Sequence, residues 1–84
     1  MKIIFLGQAW EDYLYWQSTD KSMLKKINSL VKEIDRTPFE GSGKPEPLRY
    51  NLTGLWLRRI NLDHRLVYKI EGEAIVIHQC RYHY

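Results

Sequence analysis

Residues 38–47 divide this chain into two parts that cannot share one secondary structure. The stretch Pro-Phe-Glu-Gly-Ser-Gly-Lys-Pro-Glu-Pro holds all three prolines of the chain and two of its five glycines. Proline fixes φ and removes a backbone donor, so neither a helix nor a central strand runs through it. Before it, apolar residues recur at three-and-four spacing. After it, short β-rich runs alternate with turn residues.

The first part predicts a strand over residues 2–6, ended by Gly7, and then two helices. Residues 8–19 carry Trp10, Tyr13, Leu14 and Gln17 on one stripe, with Glu11 and Asp12 in the first turn, where the helix dipole favours acids. Thr19-Asp20 breaks this helix and offers an N-cap to the next. Leu24, Ile27, Val31 and Ile34, flanked by Met23 and Leu30, form the second stripe, and Thr37-Pro38 stops it. The second part predicts strands over 48–52, 55–60, 65–70 and 74–82, with Asn61-Leu62-Asp63 and Glu71-Gly72-Glu73 as hairpin loops. The order β-α-α-β-β-β-β implies one α+β domain over residues 1–84, with an antiparallel sheet and both helices on one face.

An 84-residue chain buries only about 60–65% of its unfolded surface, and three Trp, six Tyr and two Phe compensate for a thin core. The single cysteine, Cys80, excludes an internal disulfide and fits a reducing compartment; it reads as a small buried apolar residue. No signal peptide is evident, and no apolar run approaches the roughly 20 residues that span a bilayer, so the expected location is the cytoplasm, away from membranes. The net charge is +3, and Lys44, Arg49, Arg58, Arg59, Arg65, Lys69 and Arg81 all lie in the C-terminal half. Cations gathered on one side of a fold suggest an anionic partner such as nucleic acid or an acidic peptide.

Neither an HxxxH nor a CxxC pair is present, so no metal or other cofactor is expected. Gly41-Ser42-Gly43-Lys44 is too short for a phosphate-binding loop, and no helix follows it. His78 is expected to face the interior of the last strand, and His64 to lie in a loop near the basic site. What remains is Glu46, locked between two prolines, Arg59 and Arg65 on strands, and His83 in the closing Arg81-Tyr82-His83-Tyr84. Arg59 and Arg65 share a face if the 61–63 loop has three residues; Arg65 and His83 do so if the 71–73 loop also has three. Glutamate, histidine and arginine together suit RNA cleavage through the ribose 2′-OH: Glu46 as base, His83 as acid, Arg65 and Arg59 on the phosphate, and Tyr84 either stacking on a base or orienting the phosphate.

The whole chain resembles the YoeB-type members of the RelE family of toxin ribonucleases. The matching stretches are Trp10-Glu-Asp-Tyr-Leu-Tyr-Trp16, Arg36-Thr-Pro-Phe-Glu-Gly41, Gly43-Lys-Pro-Glu-Pro-Leu48, Arg58-Arg-Ile60, His64-Arg-Leu-Val-Tyr68 and Cys80-Arg-Tyr-His-Tyr84. The resemblance implies a ribosome-dependent endoribonuclease that cuts mRNA in the A site of the small ribosomal subunit. It also implies a homodimer and neutralisation by a cognate YefM-like antitoxin. It carries the same roles onto Glu46, His83, Arg65 and Arg59, places Tyr84 near the substrate, and adds Arg49, which stands where the family commonly has lysine. The alternative is a non-catalytic RNA- or protein-binding module of the same fold.

Overall fold

The structure is a computed structural model and describes residues 1–83; Tyr84, expected at the substrate, lies outside the described residues. Strand β1 (Lys2–Phe5) leads into helix α1 (Gly7–Thr19) and helix α2 (Lys21–Arg36). Asp20 caps α2 as its sequence position suggested, its carboxylate accepting the Ser22 and Met23 amides at 3.1 and 3.3 Å. The Ser22 hydroxyl leads the interactions that lower the Asp20 pKa. Met23, Ile27, Leu30, Val31 and Ile34 form the buried stripe of α2, with Leu24 packed at its margin.

The stripe of α1 is rotated from the expected one. Ala9, Asp12 and Trp16 are buried, whereas Trp10 and Leu14 are exposed. Because the helix begins at Gly7, Glu11 and Asp12 lie beyond its first turn. Asp12 points inward, accepting the Cys80 amide at 3.0 Å and the Gln8 side-chain amide at 2.8 Å. A buried carboxylate on the core side is invisible to a search for apolar periodicity.

The second part supplies β2 (Glu46–Pro47), β3 (Trp56–Arg59), β4 (Arg65–Glu71) and β5 (Ala74–Gln79). They form a five-stranded sheet in the order β1-β5-β4-β3-β2. Three pairings are antiparallel, but β1 runs parallel to β5, so the sheet is mixed where an antiparallel one was expected. Between β1 and its partner β5 the chain passes through both helices, the far edge strand β2, and then β3 and β4. The strand expected over 48–52 is absent: Tyr50–Leu52 is a 3-10 turn, with the Thr53 amide bonded to the Tyr50 carbonyl at 3.1 Å. Tyr50 adopts a φ of 60°, a left-handed conformation that ends strand pairing.

The helices cover one face of the sheet. Ile60, Leu66, Tyr68, Ile75, Ile77 and Cys80 pack there against α1 and α2. The opposite face carries a small apolar cluster of Leu48, Leu57 and Val67.

Candidate functional site

Cross-strand partners point to the same side of a sheet, so the register determines which side chains share the helix-free face. Glu46 pairs with Leu57, Leu57 with Val67, and Arg59 with Arg65. Leu57 and Arg59 alternate on one side of β3. Glu46, Arg59 and Arg65 therefore stand on the helix-free face, around the buried Leu57 and Val67. Residues 60–64 join β3 to β4, and the Ile60 amide on the His64 carbonyl at 3.0 Å leaves 61–63 as the three-residue loop that this requires.

The other hairpin departs from expectation and then compensates. Glu71 pairs with Ala74, so only Gly72 and Glu73 form its turn, and Ile70 faces Ile75 instead of Ala74. That register alone would send the end of β5 to the helix side. A bulge corrects it: Tyr68 pairs with Ile77 but Val67 pairs with Gln79, leaving His78 as the extra residue. Gln79 returns to the face of Val67 and Arg65. His78 is half-buried, and burial, then Lys69, lowers its pKa.

Past β5 the chain turns, and several groups hold it. The Arg65 amide donates to the Tyr82 carbonyl at 2.9 Å. Gln79 Nε2 donates to the carbonyls of Arg81 and His83, both at 3.0 Å. Trp16 Nε1 donates to the Cys80 carbonyl at 2.8 Å. His83 is exposed, one residue beyond the carbonyl that Arg65 anchors. The Arg65 side chain is itself fixed: its Nη1 donates to the carbonyls of Asn61 and His64 at 2.8 and 3.1 Å. One corner of the guanidinium is thus tied to the 61–64 loop.

Glu46 is exposed, and the backbone that presents it is fixed from beneath by Arg58. Arg58 is fully buried; its Nη2 donates to the carbonyls of Thr37 and Glu40 at 2.6 and 2.8 Å, and its Nη1 to Ser42 at 3.2 Å. Its Nε meets the Tyr68 hydroxyl at 3.2 Å. Glu33 receives the Ser42 amide at 3.0 Å and pairs with Arg58 at 3.6 Å; the amide bond first, and Arg58 further down, lower its pKa. Gly43 lies so close to β3 that an added Cβ would stand 2.9 Å from the Arg59 carbonyl oxygen, and its φ of +82° also suits glycine.

Two of the expected surface cations are used inside the fold. Arg58 is the loop anchor, and the Arg81 guanidinium lies 3.4 Å from the Tyr15 ring centroid and 4.5 Å from that of Tyr82. Arg59 and Arg65 remain on the helix-free face. Arg49 is exposed beyond the buried Leu48 and shares a groove with Glu46 and Tyr50. Register thus puts Glu46, Arg59 and Arg65 on one face, with Arg49 at the groove beside Glu46, while His83 follows the Tyr82 carbonyl that Arg65 holds and lines a recess with Gln8 and Asp12 of α1. Among the described residues, no group of three or more His, Cys, Asp or Glu side chains could hold a metal ion. Sequence reasoning missed the anchoring groups Arg58, His64 and Gln79, whose partners are all distant in the chain or depend on the final turn.

Residues 5–84 match the family model of the YoeB-like toxin of bacterial type II toxin-antitoxin systems. Toxin YoeB of Escherichia coli (strain K12) is 58% identical over 84 residues, covering 100% of both chains. The YoeB dimer from Staphylococcus aureus superposes with a TM-score of 0.94 at 55% identity, covering 100% of this chain and 98% of that one. The toxin in the heterotetrameric YoeB-YefM complex from the same organism gives 0.93 at 55% identity, with the same coverage. This chain belongs to the family of YoeB-like toxins of bacterial type II toxin–antitoxin systems.

Proposed function

We propose that this toxin is an endoribonuclease that cleaves mRNA in the ribosomal A site and so inhibits translation in the cytoplasm. The observation that supports the reading is the helix-free face, which carries Glu46 and the paired Arg59 and Arg65, with the Arg65 amide bonded to the Tyr82 carbonyl one residue before His83. The Glu46 carboxylate takes the proton from a ribose 2′-OH. The resulting oxygen attacks phosphorus, the P–O5′ bond breaks, and the His83 imidazolium gives its proton to the departing 5′-oxygen. Arg65 and Arg59 hold the phosphate oxygens as negative charge grows on them. Arg49 and Tyr84 add a phosphate contact and a stacking surface. The steps balance without a metal, and leave a 2′,3′-cyclic phosphate and a 5′-hydroxyl.

A YefM-like antitoxin is the proposed silencing partner, and a homodimer the proposed assembly, both supported by the Staphylococcus aureus structures. The test is cleavage of a defined mRNA in a translation extract, with the 3′ ends mapped. Wild-type protein should cut within the A-site codon. His83→Ala should lower the single-turnover rate by about 10²–10³-fold. Glu46→Gln should lower the rate and remove the acidic limb of its pH profile. Equal rates for wild type and His83→Ala would reject the acid role. Ribosome binding without any cleavage would make the protein a binding module.

A further inference from the structure

The closing turn has an unusual feature at its centre. Tyr82 is a non-glycine residue with a φ of 65°, a left-handed conformation that needs outside support. Both of its backbone polar groups are held by consecutive residues of another segment. Its carbonyl receives the Arg65 amide at 2.9 Å, and its own N–H donates to His64 Nδ1 at 2.7 Å. His64 is itself held by its backbone and its ring. Asn61 Oδ1 accepts the His64 and Asp63 amides, both at 2.9 Å. The His64 ring meets Trp16 edge-on, with centroids 4.8 Å apart, and its other neighbour is Tyr82 at 6.0 Å. An imidazole nitrogen that accepts an N–H carries no proton of its own, so the other nitrogen holds it.

We propose that His64 is a positioning residue for the acid: its Nδ1 and the Arg65 amide clamp Tyr82 from both sides and so fix where His83 is presented. The inference rests on the acid role assigned to His83 above. Arg65 then acts twice, with its side chain toward phosphate and its amide on the clamp. A clamp on the residue before the acid matters because misplacing a reacting group by about 1 Å can cost on the order of 10²-fold in rate.

Two substitutions separate clamping from packing. His64→Phe keeps a ring against Trp16 but has no acceptor. His64→Asn loses the ring but puts an amide oxygen close to where Nδ1 stood. The clamp predicts single-turnover cleavage on programmed ribosomes about tenfold slower or worse for His64→Phe, and within about threefold of wild type for His64→Asn, at similar ribosome affinity. A packing role predicts the reverse order, and that order would overturn the proposal. Amide hydrogen exchange at Tyr82 reads the contact without cleavage: it should be protected in wild type and His64→Asn, and fast in His64→Phe. Should His64→Phe not fold, an unprotected Tyr82 amide in wild type would overturn the proposal and a protected one would support it. If neither wild type nor His83→Ala cleaves, the functional reading fails, while Tyr82 protection still decides whether the clamp exists.

Discussion

Cys80 is fully buried where β5 meets α1, and burial first, with the Asp12 carboxylate second, pushes its thiol up to about 12. At neutral pH it stays protonated and is a poor nucleophile. Folded protein at pH 8 should therefore resist iodoacetamide, and denatured protein should gain one adduct, as read by intact mass. Labelling of the folded protein at the rate of a free thiol would mean that the end of β5 opens readily. The burial of Cys80 was legible from its type, because a free cysteine behaves as a small apolar residue. The work of Arg58 and Arg81 was not. A cation in a β-rich stretch reads as a surface charge, and only the folded structure brings three carbonyls of residues 37–42 to Arg58 and the Tyr15 ring of α1, with Tyr82, to Arg81.

At the scale of elements, the loop over residues 38–47 is rigid because of what lies under it. Replacing Arg58 with Met keeps most of the apolar volume but orphans the carbonyls of Thr37, Glu40 and Ser42 and removes a partner of Tyr68. Partly buried acceptors left unpaired cost about 1–3 kcal/mol each, so a loss of about 3 kcal/mol is expected. In a domain of this size that lowers the melting temperature by on the order of 10–20 °C. A thermal melt within about 3 °C of wild type would show that the loop is held otherwise. Both helices were readable from local chemistry, since the Asp20 cap and the Thr37-Pro38 stop involve neighbours in the chain. The short β2 and the 3-10 turn after it were not, because Tyr50 takes a backbone conformation that its side chain does not announce. The bulge at His78 was equally hidden: it shows only when β5 is laid beside β4.

The whole molecule should lose stability toward acid in two stages. His78 has a folded-state pKa below its ordinary value near 6.5, from burial and Lys69. The unfolded chain then binds the proton more tightly, so this contribution is complete above about pH 6.5 and is lost as pH falls through the folded value. Glu33 and Asp20 are also lowered, by the Ser42 amide and the Ser22 hydroxyl respectively, and their contributions fade below about pH 4. Urea midpoints from pH 8 to pH 3 should trace both stages, and His78→Gln should erase the upper one alone. An upper stage unchanged in that variant would assign it elsewhere. The α+β layering was legible because helical and strand periodicities occupy separate parts of the chain. The placement of β1 was not, since residues 2–6 carry no mark of whether their partner runs parallel or antiparallel. That placement ties Ile3 to Ile75 and Phe5 to Ile77, joining the first strand of the sheet in chain order to the last. Pairing across such a separation must wait for the intervening chain, and synthesis proceeds at about 5–20 residues per second. A nascent copy therefore cannot close this sheet until β5 itself has been made, and through every earlier step β1 stays without its only strand partner among the described residues.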